Sequence, residues 1–392
     1  MHSERRIPRH AGNKNARVFT AAGGNYDKGD IAVENGKIVA VTESIEAKDS
    51  YDVIDASGLF AMPGIVDAHS HIGGFAGDDQ DLNEMTCNAT PSMESFYAID
   101  VTTKDFQRAK RAGITTSVIA PGSGNVVGGL VCAVKSAGSS LEDMCIKNPV
   151  ALKMALGGNP KGVYGAKQQL PMTRMGVAQI IRDTLSRGRE YMRKKEAAEG
   201  DAAKLPPYDA GLENVCRVLR REIPLKVHCE QFDMLTVIRI AEEFDVLFTL
   251  DHAWGASDFY DEICTAKNLV GVIFGPIGVV LLPGECGKVD IESVKVMDER
   301  GVTLAIMTDG PIMNPEMIVA QAGEAVRMGT PHERALRMLT INPANIVGLG
   351  GRIGSLEVGK DADVALFKGI PALDIAARCV RTIVNGKTVY AE

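Results

Sequence analysis

The chain has 392 residues, enough for one large domain and a smaller one. Its net charge of −7 provides no basic surface for nucleic acid or an anionic membrane, and its single tryptophan argues against a stacking surface for bases. No apolar stretch reaches the roughly 18 residues that span a bilayer. The eight cysteines lack the spacing of a disulfide framework. These features predict a cytoplasmic protein with reduced thiols that binds neither nucleic acid nor membrane.

Both ends of the chain are predicted to be all-β. Short strands are expected at Ala16–Thr20, Asp30–Val33, Lys37–Val41, Asp363–Phe367, Val380–Val384 and Lys387–Val389. Asn35-Gly36 and Asn385-Gly386 give the hairpin signal near each end. We therefore predict that the termini, residues 1–58 and 352–392, meet in one small β-sandwich domain. The basic, polar segment Met1–Asn15 lacks the apolar core of a secretory signal and is interpreted as a disordered or added extension.

Strand-like and helix-like runs alternate through the middle of the chain, which is typical of βα units. Eight apolar runs are predicted as strands: Leu59–Ile72, Ile114–Ala120, Val126–Val134, Val150–Leu156, Leu225–Cys229, Val246–Leu250, Val270–Phe274 and Val302–Met307. This pattern predicts an α/β fold in which residues 59–351 form a (β/α)8 TIM-like barrel. The carboxyl ends of all its strands would then face one pocket.

Six side chains with metal-binding chemistry lie on these runs or just after them. They are His69, His71, Lys153, His228, His252 and Asp309, and they include four of the seven histidines. His69 and His71 are two residues apart on an extended strand, so both imidazoles point to one side and can chelate a divalent ion. A single histidine at a strand end is usually only a satisfied polar residue. The whole set predicts a metal site whose nitrogen and oxygen ligands suit zinc.

The segment Pro63–His71 resembles the first-strand signature of the amidohydrolase superfamily. Two later regions agree. Asn342–Ala344 together with Gly351–Asp363 resembles the return to that superfamily's small β-domain, and Ile383–Lys387 resembles its closing hairpin. The resemblance covers nearly the whole chain after about Lys14. It implies a metal-dependent hydrolase built as a (β/α)8 barrel with a β-sandwich made from both termini.

The resemblance also implies roles for individual residues. His69 and His71 become ligands from strand one, and His228 becomes the ligand after strand five. His252 becomes either a further ligand or the group that polarises the substrate. Asp309 becomes the carboxylate that touches both metal and water, and the general base of the reaction.

Two residues favour different numbers of metal ions. In the two-metal branch of the superfamily a strand-four lysine, here Lys153, is carboxylated and bridges both ions; the alternative is a lysine whose charged head reaches solvent. The segment His228–Gln231 resembles the strand-five motif of imidazolonepropionases, where a nearby carboxylate, here Glu230, helps to move protons. Imidazolonepropionases belong to the branch with one metal ion, which generally lacks the strand-four lysine. The alternative for Glu230 is an exposed acidic residue in a loop. The sequence therefore leaves one ion or two open.

Two further features concern the substrate. Gly124 and Asn125 lie in a glycine-rich loop, residues 122–129, which is interpreted as meeting a substrate carboxylate or carbonyl; simple turn chemistry is the alternative. Trp254 follows His252 closely and is expected either as a pocket wall or as a core residue.

The sequence thus predicts a cytoplasmic metal-dependent amidohydrolase that hydrolyses a C–N bond of a small molecule. A cyclic amide or related ring is the first substrate class, and a dipeptide or amino-acid amide is the second. A different alternative is a metal-free assembly protein without catalytic activity, which would be expected to have lost ligands. We also expect a homo-oligomer.

Overall fold

The computed structural model describes residues 10–46, 51–74, 81–278 and 288–392. Their strands are β1 (His10–Val18), β2 (Tyr26–Glu34), β3 (Lys37–Thr42), β4 (Asp52–Asp55), β5 (Leu59–Pro63), β6 (Ile65–Ser70), β7 (Ile114–Ile119), β8 (Val127–Lys135), β9 (Cys145–Ala155), β10 (Leu225–Cys229), β11 (Phe248–His252), β12 (Leu269–Phe274), β13 (Leu304–Ile306), β14 (Val364–Lys368), β15 (Arg378–Val384) and β16 (Lys387–Ala391). They form two sheets of eight strands each.

The α-helices follow the barrel strands or connect them. They are α1 (Lys104–Ala112), α2 (Leu141–Met144), α3 (Gly158–Gly165), α4 (Arg174–Ala197), α5 (Ala210–Leu219), α6 (Asp233–Phe244), α7 (Tyr260–Thr265), α8 (Glu292–Glu299), α9 (Ile318–Arg327), α10 (His332–Arg337) and α11 (Ile341–Ile346). Their apolar faces pack on the outside of the second sheet and bury the largest hydrophobic cluster. Among the described residues no helix is long and apolar enough to cross a membrane.

The first sheet joins strands from both ends of the chain. Its order is β16-β15-β14-β5-β1-β2-β3, and β4 pairs with β1. The two predicted hairpin turns are confirmed, because Asn35 and Gly36 have φ of 52° and 77°, and Asn385 and Gly386 have 48° and 75°. Positive φ at both central residues is what a two-residue type I′ turn requires.

Two sequence predictions for this sheet are wrong in detail. The interpretation of Met1–Asn15 as an extension fails from His10 onward, because His10 already belongs to β1; residues 1–9 lie outside the described residues. The run Leu59–Ile72 is not one barrel strand, since β5 pairs with β1 and β14 in the first sheet. The chain changes sheets at Gly64, where an added Cβ would lie 2.2 Å from the Thr115 hydroxyl.

The second sheet is a nearly closed barrel with the order β6-β7-β8-β9-β10-β11-β12-β13. Closure is completed beyond the strand ends by a parallel bridge between Ser70 and Gly310 and by a 2.6 Å hydrogen bond from the His71 amide to the Gly310 carbonyl. The prediction of an α/β fold with eight barrel strands is confirmed at this level. The closing contacts bring the end of β6 against the segment that carries Asp309.

The expectation that every barrel strand runs in one direction is wrong for β8. This strand is antiparallel to both β7 and β9. The connections explain it: seven residues, 120–126, join β7 to β8, and nine residues, 136–144, join β8 to β9. A parallel pair needs a crossover of about a dozen residues or more, usually a helix. The start of β8 therefore lies at the pocket end of the barrel, and its last residue, Lys135, lies at the opposite end.

Candidate metal centre

The structure brings the predicted metal-binding residues together at one end of the barrel. His69 lies on β6, Lys153 on β9, His228 on β10 and His252 at the end of β11, while Asp309 follows β13 by three residues. His69, Lys153 and His252 are at most 2% exposed. His71 and His228 are also buried, each at 6%. Six residues from five separate parts of the chain thus share one buried space.

The closest group consists of His69, His252 and Asp309. One possible ligand atom from each of these side chains lies within 4.8 Å of the others. His71 adjoins this group, because its Nε2 is 3.2 Å from Asp309 Oδ1. Lys153 adjoins it as well, with Nζ 3.3 Å from His69 Nε2. These separations suit donor atoms that surround a single small ion or a pair of ions.

Three of the imidazoles are held through Nδ1, which leaves Nε2 directed at the others. His71 Nδ1 donates to the Ala120 carbonyl at 2.8 Å, and His252 Nδ1 donates to the Gly275 carbonyl at 2.9 Å. His69 Nδ1 donates to Asp251 Oδ2 at 2.5 Å. An imidazole whose Nδ1 carries the proton presents a lone pair at Nε2, which is the form that ligates a metal.

His228 is placed differently. Its Nδ1 is buried and has no hydrogen-bond partner among the described residues, and its Nε2 lies 3.4 Å from both Glu230 Oε1 and Asn159 Nδ2. Its ring centroid is 4.2 Å from that of His252. Glu230 is buried at 4% exposure rather than displayed on a loop surface. The structure therefore places a carboxylate directly beside this histidine.

The backbone is bent at two strand ends to aim these side chains. His252, Ala253 and Asp309 have φ of 70°, 52° and 54°, values that residues other than glycine adopt rarely. Asp251 and His252 are adjacent in sequence, and both lie against His69: Asp251 through the hydrogen bond to Nδ1, and His252 with its ring centroid 5.1 Å away. Such strain persists where the surrounding structure enforces it, and it is concentrated at functional sites.

The residues fit a divalent cation. Asp309 Oδ1 is buried and makes no hydrogen bond to any described residue. It faces imidazole nitrogens that are themselves tethered from behind. A buried polar atom without a partner is unfavourable unless a ligand or water satisfies it. Imidazole nitrogen with carboxylate oxygen is a donor set that zinc and similar ions accept.

Lys153 is fully buried near the carboxyl end of β9. Burial lowers the pKa of its ammonium to about 8, although the nearby Asp251 and Asp309 carboxylates oppose the shift. The interpretation of Lys153 as a lysine that reaches solvent is therefore wrong. Its neighbour across the strand pair is Lys226, which is also buried.

Sequence analysis missed Asp251 and Lys226. Lys226 Nζ lies 2.5 Å from Asp251 Oδ2. The same oxygen accepts the hydrogen bond from His69 Nδ1. A signal was available for both residues. Lys226 is two positions before His228 on one strand, and Asp251 is two positions after the buried Thr249, so strand alternation turns each toward the barrel interior.

The candidate substrate residues have mixed placements. Asn125 is buried, and its amide donates to the Glu84 carbonyl at 2.8 Å and to Thr90 Oγ1 at 2.9 Å while accepting from the Tyr164 hydroxyl at 2.6 Å. These bonds engage its donors and its acceptor within the protein, which favours the turn-chemistry alternative. Gly124 is packed so closely that a Cβ would lie 2.9 Å from the Asn83 side chain.

Trp254 lies beside the metal-binding residues. It is 6% exposed, its ring centroid is 5.2 Å from that of His252, and its Nε1 has no hydrogen-bond partner among the described residues. A neighbouring cleft of about 570 Å³ is lined by residues that include Ala120 and Gly128. The carbonyl of Ala120 accepts the hydrogen bond of His71 Nδ1, so Ala120 contributes both to this cleft and to the metal centre.

Comparisons with known proteins find relatives of this chain. The model of the amidohydrolase family matches residues 225–389. The chain is 28% identical to amidohydrolase tasK of Hapsidospora irregularis over 92% of its length and spans 40% of that protein. It is 24% identical to the imidazolonepropionase of Bacillus velezensis, with 92% of this chain and 89% of that protein covered.

A solved structure extends the likeness to the whole fold. The crystal structure of an amidohydrolase from Thermotoga maritima MSB8 superimposes with a TM-score of 0.92 at 37% identity, covering 97% of this chain and 100% of that one. The superposition covers nearly the whole chain. It therefore includes both sheets and the segments that carry the candidate ligands. The resemblance drawn from the sequence motifs is confirmed, and the chain belongs to the amidohydrolase family.

Proposed function

We propose that the protein is a metal-dependent hydrolase that cleaves a C–N bond of a cyclic amide or related ring. The observation that carries the proposal is the buried convergence of His69, His252 and Asp309, whose ligand atoms lie within 4.8 Å of one another. Family membership and the named amidohydrolase and imidazolonepropionase relatives support the reaction class. Zinc is the proposed ion.

His69, His71, His228, His252 and Asp309 would hold the metal, whether one ion or two. When bound, such an ion lowers the pKa of water toward ~7 and polarises a carbonyl. Asp309 accepts the proton of the attacking water through its unpartnered Oδ1 and returns it to the leaving nitrogen. His71 Nε2 lies 3.2 Å from that carboxylate oxygen, and both atoms present lone pairs that a shared cation would bring together.

The geometry favours a ligand role for His252 over that of an oxyanion donor. Its Nδ1 proton is committed to the Gly275 carbonyl, so a neutral ring offers only a lone pair at Nε2. Burial lowers the pKa of this imidazole well below its usual value, which keeps the ring neutral. A neutral imidazole in this tautomer binds a cation but donates nothing to an oxyanion.

Glu230 is proposed as a second proton carrier. Its Oε1 lies 3.4 Å from His228 Nε2, and its buried Oε2 has no partner among the described residues. A carboxylate in this position can exchange a proton with a ring nitrogen of the substrate. Trp254, against His252, would then form one wall of the ring pocket.

Lys153 is proposed to be carboxylated and to bridge two ions. The neutral amine is the form that reacts with carbon dioxide, and a pKa of about 8 makes that form accessible near neutral pH. The resulting carbamate would place an anion beside His69 Nε2, now 3.3 Å from Nζ. It would also replace a buried cation by a hard oxygen ligand.

Several finer features complete the proposal. The sheet shared by the two termini would form a small β-sandwich domain, and the protein would act in the cytoplasm as a homo-oligomer. A dipeptide or amino-acid amide is the second proposed substrate class, because its C–N bond is open to the same metal-activated water.

Elemental analysis of protein purified without chelator tests the proposal. We expect one zinc ion per chain, or two if a carboxylated Lys153 bridges them. Chelation should abolish hydrolysis of the ring substrate, and restoring zinc should recover it. A panel of cyclic amides and dipeptides then identifies the substrate class. Folded protein without any divalent metal would contradict the proposal and favour a non-catalytic assembly role.

A further inference from the structure

We propose that Asp251 and Lys226 are positioning residues that fix His69 for metal binding. In this arrangement Asp251 holds the imidazole through Nδ1, and Lys226 holds Asp251. The inference rests on the proposed metal centre and adds to it two residues that make no direct contact with the ion.

Asp251 is engaged on both carboxylate oxygens. Its Oδ2 lies 2.5 Å from His69 Nδ1, and its Oδ1 accepts a hydrogen bond from the Thr249 hydroxyl at 2.6 Å. The side chain is completely buried. Bonds at both oxygens fix the plane of the carboxylate, and the carboxylate in turn fixes the plane of the imidazole.

Lys226 connects this carboxylate to the strand that carries His69. Its Nζ lies 2.5 Å from Asp251 Oδ2 and donates to the Ala68 carbonyl at 2.8 Å. Ala68 is the residue directly before His69. One buried ammonium therefore ties the side-chain anchor and the backbone of β6 together, and it balances a buried negative charge that would otherwise be costly.

The opposite side of the ring selects the same tautomer. His69 Nε2 faces Lys153 Nζ at 3.3 Å and Asp309 Oδ1 at 3.5 Å. A proton on Nε2 would confront the ammonium form of Lys153, which can only donate, and Asp309 Oδ1 makes no hydrogen bond with the ring; it would also leave Asp251 without its imidazole partner. The contacts on both sides thus place the proton on Nδ1 and the lone pair toward the centre.

The first test uses the wild-type protein after metal removal. Two-bond ¹⁵N–¹H NMR spectra of the histidine rings distinguish the two neutral tautomers, and His69→Gln identifies the His69 signals. We expect His69 to carry its proton on Nδ1. A proton on Nε2 would overturn the inference, and this measurement needs no variant of Asp251 or Lys226 to fold.

The second test measures zinc affinity by chelator competition. Asp251→Asn and Lys226→Met should each weaken zinc binding by roughly 10-fold to 100-fold, the range found when a hydrogen-bond partner of a ligating histidine is lost. The double variant should lose less than the product of the two, because both residues act through one contact. Folded variants with wild-type zinc affinity would overturn the inference.

Lys135→Met provides the matched control. Lys135 is equally buried and paired with carboxylates, at 3.0 Å from Asp361, but it lies at the opposite end of the barrel. The Lys135→Met substitution should lower stability and leave zinc affinity unchanged. If it weakened zinc binding as much as Asp251→Asn and Lys226→Met, the effect would be one of general packing, and the inference would be overturned. Wild-type protein that binds no zinc would instead defeat the proposed metal centre itself.

Discussion

The two ends of the barrel sheet both bury lysines beside carboxylates, but they differ in how completely the charges are paired. At the end away from the pocket lies a group that we call the far-end cluster: Lys37, Lys135, Arg352, Asp361 and Asp363. Asp361 is 2.7 Å from Lys37, 3.0 Å from Lys135 and 2.9 Å from Arg352. Asp363 binds both Lys135 and the Asn385 amide. No atom of this cluster is a buried polar atom without a partner.

The pocket end, in contrast, has several buried polar atoms that lack hydrogen-bond partners in the described part of the chain. Asp309 Oδ1, Glu230 Oε2, His228 Nδ1 and Trp254 Nε1 are buried and lack hydrogen-bond partners among the described residues. Buried polar groups in folded proteins are nearly always satisfied, so a local excess of unsatisfied ones indicates a place where a ligand completes the structure. The comparison teaches that buried charge stabilises the fold at one end and prepares for a ligand at the other.

The largest expected effect is on catalysis at the pocket end. Asp309→Asn keeps the shape of the side chain but cannot accept the proton of water. Loss of a general base costs about 100-fold to 10,000-fold in kcat. We expect that loss for the ring substrate on which the wild type acts, with an unchanged thermal midpoint. A variant with near wild-type kcat would remove Asp309 from the mechanism.

Lys153→Ala should come next. If a carboxylated Lys153 bridges two ions, metal content should fall from about two per chain to about one, because the bridging ligand is lost. Most of the activity should disappear with the second ion. Bicarbonate should assist reconstitution of the wild-type apoprotein but not of the variant. Equal metal content in the two proteins would contradict the bridge and favour a mononuclear centre with Glu230 as proton carrier.

Lys135→Met tests the far-end cluster through stability. Removing one partner of a buried ion pair leaves an uncompensated charge, and we expect a loss of about 3 kcal/mol in the free energy of unfolding. Urea denaturation measures it, and metal content should not change. A loss below about 1 kcal/mol, typical of an exposed pair, would show that the far-end cluster does not stabilise the fold through buried charge.

The same variant should show a defined pH dependence. Burial acts to raise the pKa of Asp361, but Lys135 and its other cationic neighbours outweigh burial and lower that pKa below its usual 3.8. A lowered pKa in the folded state contributes stability above pH 3.8 that is lost as pH falls further. The stability difference between wild type and Lys135→Met should therefore be full near pH 7 and shrink below about pH 4. A difference that grows on acidification would contradict this account.

Lys37→Met should have the smallest effect. Its side chain is 49% exposed although it reaches the buried Asp361. Exposed ion pairs contribute about 0–1 kcal/mol, and Lys135 and Arg352 remain beside the carboxylate. Urea denaturation measures the free energy of unfolding of Lys37→Met and Lys135→Met. Because both variants remove one lysine from the same cluster, the difference between their losses reports the effect of burial. Equal losses would mean that burial does not set the strength of these pairs.

Much of the centre could be predicted from the sequence, because its residues follow local rules. His69 and His71 share a strand face by alternation, and His228, His252 and Asp309 come at or just after the ends of apolar runs that are predicted as buried strands. Parallel strands bring their ends to one edge, so periodicity predicts that these side chains converge, and the resemblance to the amidohydrolase superfamily implies which of them are ligands. Hairpin turns at Asn35-Gly36 and Asn385-Gly386 are likewise dictated by local φ preference.

Only the tertiary structure decided the rest. The direction of β8 depends on how seven residues, 120–126, can connect two strands, and the division of Leu59–Ile72 depends on which sheet offers β5 a partner. The pairing of Lys226 with Asp251 depends on the registration of β10 against β11. Sequence pattern determines which side chains are buried, because burial follows hydrophobic periodicity. Which buried charges meet is decided by strand neighbours far apart in the chain.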